Sequence, residues 1–360
     1  DGTHVLALVE QDRDTWLAQV DPVSGAITYL TTGRRFAYNF AVAANDRIAV
    51  LDGNADTPTQ LRSVERVPRT LSPHNAWLAS RQLAATQDVS FMSGEVEVHG
   101  MLLLPPTYQA GQPVPLVVRL HGGPVYQFSH EFQADWQVFA AQGYAVLGIN
   151  PRGSSGRGAE FAQAQMARWG SVDADDISAG ITWAIDQGIA DPNAIGVGGW
   201  SYGGILTNYM IASDERVKAG ISGAGMGMFF GGYGVDQYAR EYDLELGLPW
   251  VETERWMALS YPFFRSAEIT APRTPLASRK RRSASTRYTP RGAASSSVRI
   301  SAPASRAPQF AARGSLSSAS GQAVVLAGGR RVAVAAGAPA LAACAADCIL
   351  ATTKLPSDSL

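Results

Sequence analysis

The sequence predicts an α/β fold: a mostly parallel sheet with helices on both faces, preceded by a smaller β-rich region. Three observations predict it. Continuous apolar runs of strand length recur at Pro115–Leu120, Ala145–Asn150, Ala194–Gly199 and Val217–Ser222, and uninterrupted apolar strands are those buried on both faces. Between the second and third, Ile177, Ile181, Ala184 and Ile185 fall at helical spacing, so strand and helix alternate, as a parallel sheet requires. Residues 1–80 instead carry short strand-like runs separated by turn residues.

Within residues 1–80, His4–Val9, Thr15–Val20, Ala26–Leu30 and Arg47–Leu51 are strand-like, and Asp21-Pro22-Val23-Ser24-Gly25 joins the second to the third as a hairpin. Meanders of this kind suit blades of a β-propeller, with room for one or two blades only. From about residue 85 the pattern changes. Val96–Leu104 is strand-like and runs into Pro105-Pro106.

Length and composition bound the chain. It has 360 residues, 46% hydrophobic and 17% charged, enough for two domains with a sizeable core. The net charge of −1 hides a break. Residues 1–270 hold 17 Lys+Arg against 29 Asp+Glu, whereas residues 271–360 hold 13 against 2. No Asp or Glu occurs from Ile269 to Ala346, and residues 273–316 are dominated by Arg, Ser, Ala and Pro. Such a composition buries too little apolar surface to offset ordering entropy, so an irregular or disordered tail is expected. Residues 322–350, rich in Ala and Val, are expected to form a helix if anything. The two cysteines, Cys344 and Cys348, lie without a nearby histidine, so neither a disulfide framework nor a zinc site is implied. No apolar run reaches the roughly 18–20 residues that span a bilayer, and the N-terminus has no signal segment. A soluble protein, cytoplasmic or exported, is expected, with an upstream part missing. No cofactor is implied.

The motif that carries chemistry is Gly199-Trp200-Ser201-Tyr202-Gly203, followed by Gly204. It lies after an apolar strand and before a run with helical spacing. G-x-S-x-G in that context is a nucleophile elbow of an α/β-hydrolase fold, a sharp turn that presents the serine oxygen at the start of a helix. The helix N-terminus supplies a positive dipole end where an oxyanion develops. His121-Gly122-Gly123-Pro124 follows the first buried strand, where that fold donates a second backbone N–H to the oxyanion.

With Asn150-Pro151-Arg152-Gly153-Ser154-Ser155-Gly156, these segments resemble the prolyl oligopeptidase family of serine peptidases, especially its acylaminoacyl-peptidase-like and dipeptidyl-peptidase-like branches. Order and spacing agree over residues 85–272, including Ser260-Tyr261-Pro262-Phe263-Phe264 and Ile269-Thr270-Ala271-Pro272. The resemblance implies a partial β-propeller at 1–80, a peptidase domain at 81–272 and short peptides as substrates. It implies Ser201 as nucleophile, with the Tyr202 N–H and the His121-Gly122 loop as oxyanion donors. Arg152 would order its loop. Phe229, Phe230 and Tyr233 would line an apolar substrate pocket.

One part of the pattern fails. A serine nucleophile needs a base oriented by an acid, in the order Ser, Asp or Glu, His. The five histidines are His4, His74, His99, His121 and His130, and none follows Ser201. No triad Asp or His is identified, and the chain as written is expected to be inactive or nearly so. Loss of resemblance, the charge reversal and the Arg/Ala/Ser/Pro enrichment begin together near Arg273, as a reading-frame shift in a GC-rich gene would produce. The alternatives are an α/β-hydrolase esterase and a non-catalytic binding protein. Lys280 and Lys354 are the remaining candidates for a Ser–Lys pair. The basic run Arg279-Lys280-Arg281-Arg282 has no nucleic-acid motif beside it, so no nucleic-acid partner is expected.

Overall fold

A computed structural model of the chain describes residues 5–263 and the backbone of two later strands, 322–327 and 332–336. His4, the 269–272 segment, the run 279–282, Lys354 and both cysteines lie outside the described residues.

The N-terminal strands are β1 (Val5–Gln11), β2 (Asp14–Val20), β3 (Ile27–Tyr29), β4 (Phe36–Val42), β5 (Ile48–Asn54) and β6 (Thr57–Ser63). They form a six-stranded sheet in the order β1-β2-β4-β5-β6, with β3 on β2. The expected β2–β3 hairpin is antiparallel, as are β4–β5 and β5–β6. β4 and β6 were not legible in the sequence. The Thr57-Pro58-Thr59-Gln60-Leu61-Arg62-Ser63 stretch of β6 is polar and gains its strand conformation from pairing with β5 rather than from an apolar pattern. A small core of Leu17, Ala37 and Val50 holds the sheet.

The second sheet contains β7 (Thr86–Ser93), β8 (Val96–Leu103), β9 (Val114–Leu120), β10 (Ala145–Asn150), β11 (Ala190–Trp200) and β12 (Val217–Gly223). Its helices are α1 (Ala134–Ala141), α2 (Ala159–Gln163), α3 (Val172–Asp186), α4 (Tyr202–Ser213), α5 (Ala239–Glu245) and α6 (Thr253–Leu259). The sheet is mixed. Its centre, β10-β9-β11-β12, is parallel, and β8 and β7 continue it antiparallel beyond β10. The antiparallel edge arises because β7 and β8 are joined by a tight hairpin at Gly94, whose φ is +61°, too short for a parallel crossover.

Beyond β12 the backbone of β13 (Gln322–Ala327) pairs antiparallel with it, and β14 (Val332–Ala336) pairs with β13. This corrects the expectation of a helix over 322–350 at these eleven positions, and of an irregular tail there. β12 leaves a row of unpaired backbone groups at the sheet edge, and an Ala/Val segment satisfies them as a strand.

The alternation of side chains along β10 explains the layers. Ala145, Leu147 and Ile149 face the core shared with α3 and α4, while Val146 faces the opposite core with Trp136 and Ala140 of α1. Helices therefore cover both faces. Gly148 leaves room for the Trp136 ring: a Cβ there would lie 2.0 Å from its Cη2. A methyl group cannot be accommodated without displacing a fully buried tryptophan. We expect Gly148→Ala to lower the unfolding free energy by about 1–3 kcal/mol, read as a fall in the urea midpoint followed by near- and far-UV circular dichroism.

Candidate active site

The sheet order brings the two motifs together. β9 and β11 are neighbours, with Leu120 opposite Gly199, so the loop after β9 and the turn after β11 emerge side by side at the carboxyl edge. The chain runs from β9 outward to β10, then returns across β9 to β11. The carboxyl edge at such a reversal is the place where open α/β sheets bind ligands.

Ser201 sits between β11 and α4 with φ +57° and ψ −120°, a conformation that costs a non-glycine residue about 1–3 kcal/mol. Its N–H donates to Gly223 O of β12 at 2.9 Å, and its carbonyl accepts from Ile205 N–H at 3.0 Å. The neighbouring glycines are required sterically. A Cβ at Gly203 would lie 2.1 Å from Leu120 O, and one at Gly199 2.3 Å from the same atom. A Cβ at Gly204 would meet Gly223 O at 2.4 Å. Ser201 is exposed. A Cβ placed on Gly122 would lie 3.5 Å from Ser201 Cβ, so the His121-Gly122 backbone borders the serine.

Tyr202 opens α4, so its N–H lies in the first turn and has no intrahelical acceptor. Its ring points into the core. The Tyr202 hydroxyl donates to Asp173, and Trp169 packs edge-on against the ring at 5.5 Å. Trp169 Nε1–H in turn donates to Glu245 at 2.7 Å. Asp173 is fully buried. Desolvation raises its pKa to about 6, against the Tyr202 hydrogen bond, which lowers it. The sequence reading missed Asp173, Trp169 and Glu245. The signal was present, since Asp173, Asp176, Ile177, Gly180, Ile181 and Ala184 share the buried face of α3, but acids at a helix start read as solvated charge.

His121 is buried between Phe128 and Tyr126. Its Nδ1 lies 2.7 Å from Gly122 O and its Nε2 2.9 Å from Ser154 Oγ. Burial drops its pKa to about 4, against the Gly122 hydrogen bond, so the ring is neutral at pH 7. Both nitrogens are occupied in tying the 121–124 loop to the 151–154 turn. Arg152 plays the ordering part expected of it: its guanidinium grips the buried Asp176 carboxylate of α3 at 2.6 and 3.0 Å. The other described histidines are engaged elsewhere or surface-exposed. His130 bonds Asp14 and Asp88, His99 bonds Asp12, and His74 is exposed. Among the described residues no histidine ring is hydrogen-bonded to Ser201.

Phe229 requires correction. It is fully buried against Trp169 at 5.4 Å and belongs to the core, because its position in a short 3₁₀ turn directs the ring inward beneath α6. Phe230 and Tyr233 are partly buried and pack on Trp256. The three aromatics therefore do not form one pocket wall. Among the described residues, no helix is long and apolar enough to cross a membrane.

Two buried groups give opposing pH dependence. The folded-state pKa of His121 is depressed, so the unfolded state binds the extra proton first and stability falls as pH drops from 6.5 towards 4. The folded-state pKa of Asp173 is raised, so stability falls as pH rises from 3.8 towards 6. In urea titrations, Asp173→Asn should steepen the loss of stability below pH 6, and His121→Gln should reverse its sign. Each effect amounts to at most about 3 kcal/mol.

Comparison with known proteins places this geometry. Residues 130–272 match the model of the prolyl oligopeptidase family. A 206-residue stretch, 56% of this chain, is 28% identical to an uncharacterized peptidase of Bacillus subtilis, YuxL, and covers 31% of that protein. The acylaminoacyl peptidase of Pyrococcus horikoshii superposes with a TM-score of 0.67 at 26% identity, over 74% of this chain and 42% of the peptidase. An acylaminoacyl peptidase in complex with Z-Gly-Gly-Phe-chloromethyl ketone superposes with a TM-score of 0.66 at 26% identity, over 74% of this chain and 44% of the peptidase. The chain thus spans less than half the length of these relatives.

Proposed function

We propose that this chain, whose residues 130–272 match the prolyl oligopeptidase family, carries the nucleophile and oxyanion side of a serine peptidase acting on short peptides. The observation that carries the reading is the strained Ser201 turn with the Gly122 backbone beside it. Ser201 Oγ attacks the peptide carbonyl carbon, and the new oxyanion accepts from the N–H groups of Tyr202 and Gly122. The chloromethyl ketone peptide bound by a similar peptidase supports a peptide as substrate. Residues 1–80 are read as partial blades of a β-propeller and 81–272 as the peptidase domain. The antiparallel meander β4-β5-β6 and the start of the second sheet at Thr86 support that division.

The hydroxyl proton of Ser201 has to leave as the C–O bond forms, and it needs a base. No histidine follows Ser201 in the sequence, and His121 is held by Gly122 and Ser154. Among the described residues Ser201 has no histidine partner, so the chain as written is read as inactive or nearly so. The family match stops at residue 272, where the charge reversal begins. That coincidence supports a reading-frame shift rather than a divergent family tail.

Two measurements test this. Fluorophosphonate labelling of the chain should not exceed that of Ser201→Ala. Replacing residues 273–360 by the matching region of the B. subtilis peptidase should restore Ser201-dependent labelling and peptide-anilide hydrolysis, by on the order of 10⁴-fold or more. Turnover of esters but not anilides in that chimera would point to an esterase instead. Sequencing the gene past the Pro272 codon should reveal another frame that encodes an Asp- and His-bearing segment, and its absence would remove the frameshift.

A further inference from the structure

The turn between β1 and β2 is built against local preference. Asp12 and Arg13 have φ of +35° and +70°, in the left-handed region that favours glycine. A simple two-residue hairpin would carry Asn-Gly or Gly-Gly here. What the turn touches explains the departure. The Arg13 side chain is 12% exposed, and its guanidinium donates to Gly100 O at 3.2 Å and Val89 O at 3.4 Å, on the paired strands β8 and β7 of the second sheet. Asp12 accepts from Arg13 at 2.9 Å and lies 2.6 Å from His99 Nδ1. Asp12 N–H donates to Gly156 O at 2.9 Å.

The same turn grips the loop that begins at His121. Arg13 O accepts from His130 N–H at 2.7 Å. Arg13 N–H donates to Gln127 Oε1 at 3.1 Å, and Gln127 Nε2–H donates back to Asp14 O at 3.0 Å. Asp14 Oδ1 lies 2.7 Å from His130 Nδ1 and also accepts from Arg35 N–H at 2.7 Å. Gln127, Ser129 and His130 are all buried. Their polar atoms find partners in the N-terminal sheet, and leaving them unpaired costs about 1–3 kcal/mol each.

We infer that the β1–β2 turn is a clamp from the N-terminal sheet that fixes the 121–130 loop beside Ser201, with Arg13 and Asp14 as positioning residues. The loop starts at the backbone that borders the serine and ends in the clamp's grip at His130. Its geometry is therefore set from outside the sheet that carries it. The bearing of the clamp on chemistry rests on the oxyanion role proposed for Gly122, whereas the clamp itself is read without any reaction.

Hydrogen exchange on the full chain tests it. Arg13→Gly suits the left-handed backbone of the turn and removes the side chain that anchors it to β7 and β8, leaving the Arg13 main-chain contacts to Gln127 and His130. If the turn were a plain connector, this variant would leave exchange unchanged or slower. As a clamp, its loss should speed exchange across 121–130, and at the His130 amide in particular, by about tenfold or more, while amides inside β5 and β10 keep wild-type rates. Asp14→Ala should do the same. Asp14→Asn, whose amide oxygen still accepts from His130 Nδ1 and Arg35, should stay near wild type. Unchanged exchange at 121–130 in both Arg13→Gly and Asp14→Ala would overturn the clamp. So would equal acceleration in β5 and β10, which marks global loosening.

Discussion

The structure turns on one close approach: the carbonyl end of β9 pressed against the turn that follows β11. Leu120 O lies where side chains at both Gly199 and Gly203 would have to go. Only glycine tolerates that distance, so the tripeptide interval between them is folded into a single hairpin-like corner. The backbone energy stored at Ser201 is held by a second strand, through the hydrogen bond from its N–H to Gly223 O. Parallel pairing of β9, β11 and β12 thus does more than build a sheet, since it sets three carbonyl rows in the register that the corner needs.

Around this corner the polar groups fall into two nets that do not compete. One runs below it, from Glu245 through Trp169 to Tyr202 and Asp173. The other runs above, from Ser154 through His121 to Gly122. Each places a buried titratable group at a full set of partners, which is how a low-dielectric interior accommodates polar atoms. Neither net supplies a proton acceptor to the serine.

Much of this was readable from residue order. The apolar runs of β9 and β10 mark their strands to within a residue, because burial on both faces leaves an unbroken pattern. The Ser201 corner was readable from its glycines and its setting between strand and helix. What escaped had physical reasons. β6 is polar and owes its form to a neighbour. The Ala/Val segment near 322 suits helix and strand alike, and an unpaired sheet edge decided between them. Phe229 sits among residues that look like a pocket wall, but a ring's direction depends on the turn that carries it, and no spacing rule encodes that. Asp173 was passed over, although it shares the spacing of the buried face of α3, because charge at a helix start is ordinarily wet.

The Ser201 corner is secured wholly by main-chain carbonyls and missing side-chain volume, none of it drawn from an acid–base pair. Chemistry and architecture are consequently separable in this scaffold. Loss of proton-handling partners would leave these main-chain contacts in place, so the corner holds its shape without them. Any descendant of this scaffold would have to keep the corner's glycines for as long as it kept the sheet, whatever became of its turnover.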